Sequence, residues 1–277
     1  MSWTETTRRQ HCRSGLGFAS DLRDEEWQVL AVYLDRPCRR GRPRRVSLRR
    51  VFDAIQYVLA TGCQWRALPR EFPPRSTVQN YFYKWRASGV WECLGELVAR
   101  LRQAIGRNAK PSAGVIDSQS VRTTESGGPR GRDPAKRLTG RKRHIVTDTN
   151  GLPLAMQVHR ADIQDVHGAV PLLRCLREAH PTLAHVFADR VYRGKQLPAA
   201  IAHCGPWTIE IVQRPTGEKG FKLLPRRWVV ERTFAWLGRC RRLQRDCERT
   251  LESSLAWLKL AALRFVVRRL ARLQKSI

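Results

Sequence analysis

Two short apolar runs, each ending in an aspartate, constrain this chain more than any other feature. Residues 113–116 run into Asp117, and residues 184–188 run into Asp189. Short apolar runs bounded by polar residues are typical of buried strands. Each run therefore predicts a strand of a buried sheet that presents a carboxylate at its end.

The order of strands and helices beyond residue 112 narrows the choice of fold. Residues 144–147 and 153–158 flank the turn signal Asn150-Gly151, which predicts a hairpin. The order strand, strand, strand, helix, strand, helix, strand, helix is that of the ribonuclease H-like fold, a mixed sheet with helices on both faces. We therefore predict an α/β domain of this class, in which the strands before Asp117 and Asp189 are neighbours. The remaining predicted elements are helices over 166–179, 195–203, 226–245 and 251–273, a strand over 208–213, and an inserted loop over 123–143.

Residues 1–106 are predicted to form a small all-helical domain. Apolar residues recur there at helical spacing, and glycines follow two of the predicted helices. A small, polar stretch over residues 106–112 marks the boundary with the α/β domain, residues 107–277. The predicted helices cover residues 21–33 (with Asp21 as N-cap), 47–61, 76–87 and 91–105.

The helical domain has two features of a DNA reader. Residues 39–50 contain seven arginines and form an arm between the first two helices. The third helix is predicted to expose Gln79, Asn80 and Lys84. Short helices beside a basic arm are typical of helix-turn-helix-like DNA binding. A helical bundle with an ordinary polar surface is the alternative.

The charge of the chain points to a polyanionic partner. Lys and Arg number 52 against 24 Asp and Glu, which leaves a formal net charge of +28. A protein this basic repels itself unless an anion is bound, and nucleic acid is the commonest such partner. Only nine of the basic residues are Lys. The forked guanidinium of Arg suits phosphate and guanine, although a genome rich in G and C produces the same bias.

The sequence also predicts the cellular location of the protein. The first 13 residues are polar and charged, and no apolar run approaches the ~20 residues that span a bilayer. The eight cysteines are scattered without a C-x-x-C pair, which indicates reduced thiols. We therefore expect a cytoplasmic protein, associated with the nucleoid and not with a membrane.

A third acid completes a candidate metal site. Glu231 lies in the predicted helix after the last strand, so packing of that helix beside the sheet would bring it to the two aspartates. Three ionised carboxylates in a small space raise one another's pKa, and a divalent cation removes the conflict. Two Mg²⁺ ions roughly 3.5–4 Å apart would suit in-line phosphoryl transfer. The alternatives are that Glu231 only pairs with Arg227, or that other acids serve: Asp148, Asp162, Asp165, Asp246 or Glu248.

Four ordered motifs resemble a known family. The resemblance is to bacterial insertion-sequence transposases of the DDE class, the IS-five group, and it covers nearly the whole chain. It implies cleavage at the inverted-repeat ends of a mobile element and strand transfer into target DNA. The motifs are residues 114–120 (GVIDSQS), 140–152 (GRKRHIVTDTNGL), 187–194 (FADRVYRG) and 228–239 (WVVERTFAWLGR).

The resemblance implies partners and cofactors as well. Asp117, Asp189 and Glu231 would be the catalytic residues and would hold two Mg²⁺ (or Mn²⁺) ions. The partner would be double-stranded DNA, both element ends and target, bound by a homodimer or a higher assembly. A ribonuclease H-like nuclease or resolvase, and a non-enzymatic helix-turn-helix regulator, are the alternatives.

Several basic residues are predicted to contact DNA. The wider superfamily has a Tyr, Arg, Glu, Lys signature around the third acid; Arg227 and Glu231 match it, whereas Leu224 and Gly238 stand where Tyr and Lys would be. Arg239 is expected to supply the missing cation. The remaining candidates are Arg193, beside the second acidic motif, and Arg141, Lys142, Arg143 and His144, which we interpret as a cationic loop that grips phosphates or, alternatively, as solvated hairpin charge.

Overall fold

The computed structural model describes residues 4, 5, 8, 12–34, 44–202, 208–212 and 226–274. The first part of the arginine-rich arm, residues 39–43, and Leu224 lie outside these residues. No helix among the described residues is long and apolar enough to cross a membrane.

The N-terminal region is helical, as predicted. Ser47 caps the second helix by accepting a hydrogen bond from the Arg50 backbone N–H, and Gly62 ends that helix in the left-handed conformation. The predicted N-cap role of Asp21 is wrong, because the first helix begins at Asp24. The buried Asp21 carboxylate instead accepts a hydrogen bond from the Phe18 backbone N–H. The helices are α1 (Asp24–Leu34), α2 (Leu48–Thr61), α3 (Arg75–Ala87) and α4 (Cys93–Ala104).

The second region contains the predicted mixed sheet. The strands lie in the order β4-β3-β1-β5-β6, and β2 pairs with the beginning of β3. β1 is antiparallel to β3 and parallel to β5, which is itself parallel to β6. This order confirms the ribonuclease H-like arrangement. The strands are β1 (Ala113–Arg122), β2 (Gly131–Asp133), β3 (Leu138–Asp148), β4 (Pro153–Arg160), β5 (His185–Ala188) and β6 (Thr208–Ile211).

Helices cover both faces of the sheet. Because side chains alternate along a strand, Ile116 and Val146 face one apolar core, whereas Val115 and Ile145 face the other. The first core includes α5 and α6, and the second includes α7 and α8. These helices are α5 (Asp165–Ala179), α6 (Gln196–Ile201), α7 (Arg227–Gly238) and α8 (Leu251–Gln274).

The C-terminal helix packs against the N-terminal helices. Trp257 of α8 stacks on Phe82 of α3 with 4.4 Å between ring centroids, and both side chains are buried. The second core thus continues from the sheet into the helical region. The division of the chain at residue 106 stays a prediction.

The predicted inserted loop over residues 123–143 is only partly a loop. Residues 131–133 form β2, and residues 138–143 belong to β3. The sequence pattern concealed these strands because their side chains are mostly Gly, Arg and Lys rather than apolar residues. The long β3 supports β1 from Gly114 to Arg122.

Candidate active site

Asp117 and Asp189 occupy corresponding positions beside each other in the sheet. The register of β1 and β5 pairs Val115 with Phe187, and each aspartate lies two residues further on. Asp189 follows β5 directly, as predicted. Asp117, in contrast, lies within β1 rather than at its end, because pairing with β3 continues the strand to Arg122.

The surroundings of Asp117 disfavour its negative charge. Burial raises the pKa of Asp117 to about 7, and the carboxylates of Asp189 and Glu231 also raise this pKa. A 2.7 Å hydrogen bond from the Ser118 backbone N–H acts in the opposite direction. Burial likewise raises the pKa of Asp189. A bound cation stabilises the charged form of a carboxylate whose surroundings otherwise disfavour its charge. The surroundings of Asp117 and Asp189 are therefore suited to a metal ligand.

Glu231 approaches the aspartates from α7, which packs against β1 and β3. Its side chain is 46% exposed and lies 3.0 Å from the guanidinium of Arg227, one turn earlier on the helix. The helix ion pair considered as an alternative is therefore present, alongside the electrostatic effect of Glu231 on Asp117. Within the described residues, no three His, Cys, Asp or Glu side chains are gathered closely enough to hold one metal ion. Carboxylates completed by water and phosphate oxygens are a ligand set that fits Mg²⁺.

A partly buried polar cluster lies on the opposite face of β1. The Ser118 hydroxyl donates a 2.7 Å hydrogen bond to Asp165, the first residue of α5. The Lys142 ammonium lies 3.0 Å from the same carboxylate and donates to the backbone carbonyl of Ile163. Burial raises the pKa of Asp165, but these hydrogen bonds lower it, and the resulting pKa lies below the ordinary value. Sequence reasoning offered Asp165 only as another available acid; its place at a helix start beside Ser118 was not visible.

Two histidines extend this cluster. The rings of His144 and His159 stack, and their Nδ1 and Nε2 atoms are 2.7 Å apart. Burial lowers the pKa of His144 to about 3 and also lowers the pKa of His159, so both are neutral near pH 7. Tyr192 packs edge-on to His144, and burial together with nearby carboxylates raises its pKa well above the ordinary value.

The predicted cationic loop of residues 141–144 is wrong. All four residues lie in β3 with buried side chains. Arg141 pairs with Asp246 at 2.8 Å, and Arg143 donates a 2.7 Å hydrogen bond to the backbone carbonyl of Leu243. Side chains buried inside the protein are not available to phosphates, so this geometry gives no support to a DNA contact by Arg141, Lys142, Arg143 or His144. The sequence could not reveal this, because the partners are about 100 residues away.

The other predicted DNA-binding residues lie nearer the surface. Arg193 and Arg239 are exposed, the first after the helical turn that follows Asp189 and the second after α7. On α3, Asn80 and Lys84 are exposed and Gln79 is half-buried. Their contacts with DNA stay predictions.

The strand order, with Asp117 and Asp189 at neighbouring positions of β1 and the end of β5, defines the class of ribonuclease H-like folds. The chain belongs to the transposase DDE domain family, whose model matches residues 108–266. A second model, described as "Putative transposase of IS4/5 family", matches residues 22–94. Members of this family cleave DNA and transfer its strands with the help of divalent metal ions, so this chain is a transposase.

Two relatives are also described as putative transposases. The chain is 37% identical over 153 residues to a "Putative transposase for insertion sequence element IS402" of Burkholderia cepacia, covering 53% of this chain and 70% of the relative. It is 32% identical over 124 residues to a "Putative transposase for insertion sequence element IS6501" of Brucella ovis, covering 43% of this chain and 92% of the relative. No solved structure matches the chain.

Proposed function

We propose that Asp117, Asp189 and Glu231 are the catalytic residues of this transposase and hold two Mg²⁺ ions, for which Mn²⁺ can substitute. The observation that carries the proposal is the sheet register that sets Asp117 and Asp189 side by side; the raised pKa of the half-buried Asp117, to which the other two acids contribute, supports it. Bound ions would supply charge stabilisation at the entering and leaving oxygens of the phosphoryl transfer.

The residues around the acids have supporting roles. Arg227 holds the Glu231 carboxylate on the side of α7 and is placed to neutralise a phosphate of bound DNA. The hydrogen bond from Ser118 to Asp165 ties the catalytic strand to the start of α5, which limits movement of Asp117. Arg193 and Arg239 are exposed cations at the borders of the acidic site and would contact the DNA backbone.

The proposed partner is double-stranded DNA, first the element ends and then the target. Joining two ends in one reaction requires at least two active sites, so the working form is a homodimer or a higher assembly on DNA. The exposed polar side chains of α3, Asn80 and Lys84, would read the element end.

Replacement of the acids tests this proposal. Asp117→Asn and Glu231→Gln should each reduce Mg²⁺-dependent cleavage of linear DNA carrying the element ends by about 100-fold or more, the scale for loss of one group that stabilises transition-state charge. Binding to the same DNA, measured by mobility shift, should persist. Glu178→Gln changes an exposed glutamate of α5 in the same way and should cleave normally. Undiminished cleavage by Asp117→Asn would remove that residue from the site.

A further inference from the structure

A groove leads away from the proposed catalytic acids along β1. Its near part has a volume of about 370 Å³ and is lined by residues 119–122 of β1, by Gly238 at the end of α7 and by residues 243–245. Gln119 follows Asp117 on the same face of the strand, and Gly238 lies two helical turns beyond Glu231. The groove therefore begins two residues beyond Asp117 on the same face of β1.

The groove continues past the end of β1. Its far part has a volume of about 440 Å³ and is lined by residues 123–126, Arg130 and Thr139. Arg245 lines both parts, so the two lie next to each other. The path from Asp117 to Arg122 covers five strand residues, or roughly 17 Å at about 3.3 Å per residue.

The groove is positively charged. Arg122, Arg130 and Arg245 line it with exposed side chains, and none of the three has an ion pair to any residue that the structure describes. Glu125 is the one acid that lines the described groove. Guanidinium groups bind phosphate oxygens through paired N–H donors, so three unpaired guanidinium groups around the two adjacent parts favour a chain of phosphates as the occupant.

The far wall of the groove is held in place by the fold. The backbone N–H of Asp246 donates to the Arg122 carbonyl at 2.9 Å, and the Thr124 N–H donates to the Asp246 carbonyl at 3.0 Å. The Asp246 carboxylate is in turn bound by the buried guanidinium of Arg141. Arg245 therefore projects from a wall that is fixed relative to β1. A site whose donors are fixed in advance loses less entropy on binding.

We propose that this groove binds the phosphate backbone of one DNA strand as it leaves the catalytic acids, with Arg122 and Arg245 contacting phosphates about five nucleotides from the scissile bond. The spacing follows from the ~17 Å strand path and the ~3.4 Å rise per nucleotide of a strand. The position along the DNA rests on the proposed catalytic role of Asp117; the phosphate contact itself does not.

The salt dependence of binding tests the contact directly. The full-length protein, with EDTA to prevent cleavage, is bound to a duplex of arbitrary sequence and about 30 base pairs, and the affinity is measured over a range of KCl concentrations. In the double variant Arg122→Ala/Arg245→Ala, the plot of log affinity against log salt concentration should become shallower by about 1.8. Binding should be weaker by about 60-fold at 0.1 M salt. Arg122→Lys/Arg245→Lys keeps the charges and should keep the slope.

A charge-matched control separates the groove from bulk charge. Arg107→Ala/Lys110→Ala removes two exposed cations that precede the start of β1, at the opposite end of the strand from Arg122. The proposal expects the slope of this variant to match that of the wild type. Equal slope losses in both double variants, or no loss in Arg122→Ala/Arg245→Ala, overturn the groove as a phosphate site.

A second measurement gives the position of the contact. Single neutral methylphosphonates placed along DNA that carries the element end should weaken wild-type binding when they lie about five nucleotides from the cleaved bond. The same substitution should not weaken binding by Arg122→Ala/Arg245→Ala further. If Asp117→Asn cleaves as well as the wild type while the slope effect persists, the catalytic assignment fails and the groove stands. If the wild type cleaves normally and Arg122→Ala/Arg245→Ala has the same slope as the wild type, the groove is not a phosphate site and the catalytic assignment stays intact.

Discussion

Arg141 and Asp246 form an ion pair of 2.8 Å although they are 105 residues apart in the chain, and neither side chain is more than 1% exposed. The pair joins the central strand β3 to the segment that follows α7. Asp246 also accepts hydrogen bonds from the Ser254 hydroxyl and the Glu248 backbone N–H. One buried contact therefore connects β3, which pairs with the strand of Asp117, to the wall of the proposed phosphate groove and the start of α8.

Arg141→Met should destabilise the protein strongly. Removing one member of a buried ion pair leaves the other charge uncompensated, which costs about 3–5 kcal/mol. Urea unfolding measures this loss. Arg132→Met, at an exposed arginine of β2, should change stability by no more than about 0.5 kcal/mol. Adding Asp246→Asn to Arg141→Met should recover part of the loss, because the uncompensated charge disappears. Equal losses of unfolding free energy in Arg141→Met and Arg132→Met would contradict the prediction.

Gly168→Ala should destabilise the protein, although the same change usually favours a helix by about 1 kcal/mol. A β-carbon at Gly168 would lie 2.4 Å from His159 Nε2 and 2.7 Å from His144 Cε1. The stacked rings would have to move, at a cost of about 1–3 kcal/mol. Gly95→Ala, on α4 with nothing within 4 Å of the new β-carbon, should instead be stabilising. Thermal unfolding tests the prediction: the midpoint temperature should fall in Gly168→Ala and rise in Gly95→Ala.

Stability should fall as the pH drops below about 6.5 because of His144. The pKa of His144 is about 3 in the folded protein, whereas an unfolded histidine has a pKa near 6.5. The unfolded state therefore binds more protons, and the wild type should lose about 2 kcal/mol between pH 7 and pH 5 relative to His144→Gln. Parallel stability curves for the two proteins over this pH range would contradict the buried, neutral imidazole.

Metal ions should stabilise the folded wild type through Asp117. Mg²⁺ at 100 times its dissociation constant would add about 2.7 kcal/mol to the free energy of unfolding, which a shift in the thermal midpoint against an EDTA sample measures. Asp117→Asn should abolish the shift, whereas Glu178→Gln should preserve it.

Without metal, Asp117→Asn should be more stable than the wild type at pH 8. The folded pKa of Asp117, about 7, exceeds that of an unfolded aspartate. The wild type therefore loses stability as the pH rises from about 4 to 7, and Asn removes this loss, which is on the order of a few kcal/mol. A metal-free Asp117→Asn protein that is less stable than the wild type would contradict the unfavourable buried charge.

Local patterns in the sequence were enough to predict the strand order and the hairpin. The apolar run before Asp189 and the turn signal at Asn150-Gly151 each depend on residues close together in the chain, and both elements formed as predicted. The order of elements then restricted the topology, because connections between neighbouring strands follow few routes. The strongly basic composition by itself indicated a polyanionic partner, because net charge depends only on which residues are present.

Only the tertiary structure decided which charged residues are buried and which are free. The run of residues 141–144 has the composition of an exposed loop, yet it forms part of β3 because Asp246 and the Leu243 carbonyl bind its arginines from about 100 residues further along the chain. Pairing with this strand also extends β1 beyond Asp117 to Arg122 and so forms the floor of the groove. The free energy of a buried charge depends on partners brought together by folding, and their positions are not encoded in any local window of sequence.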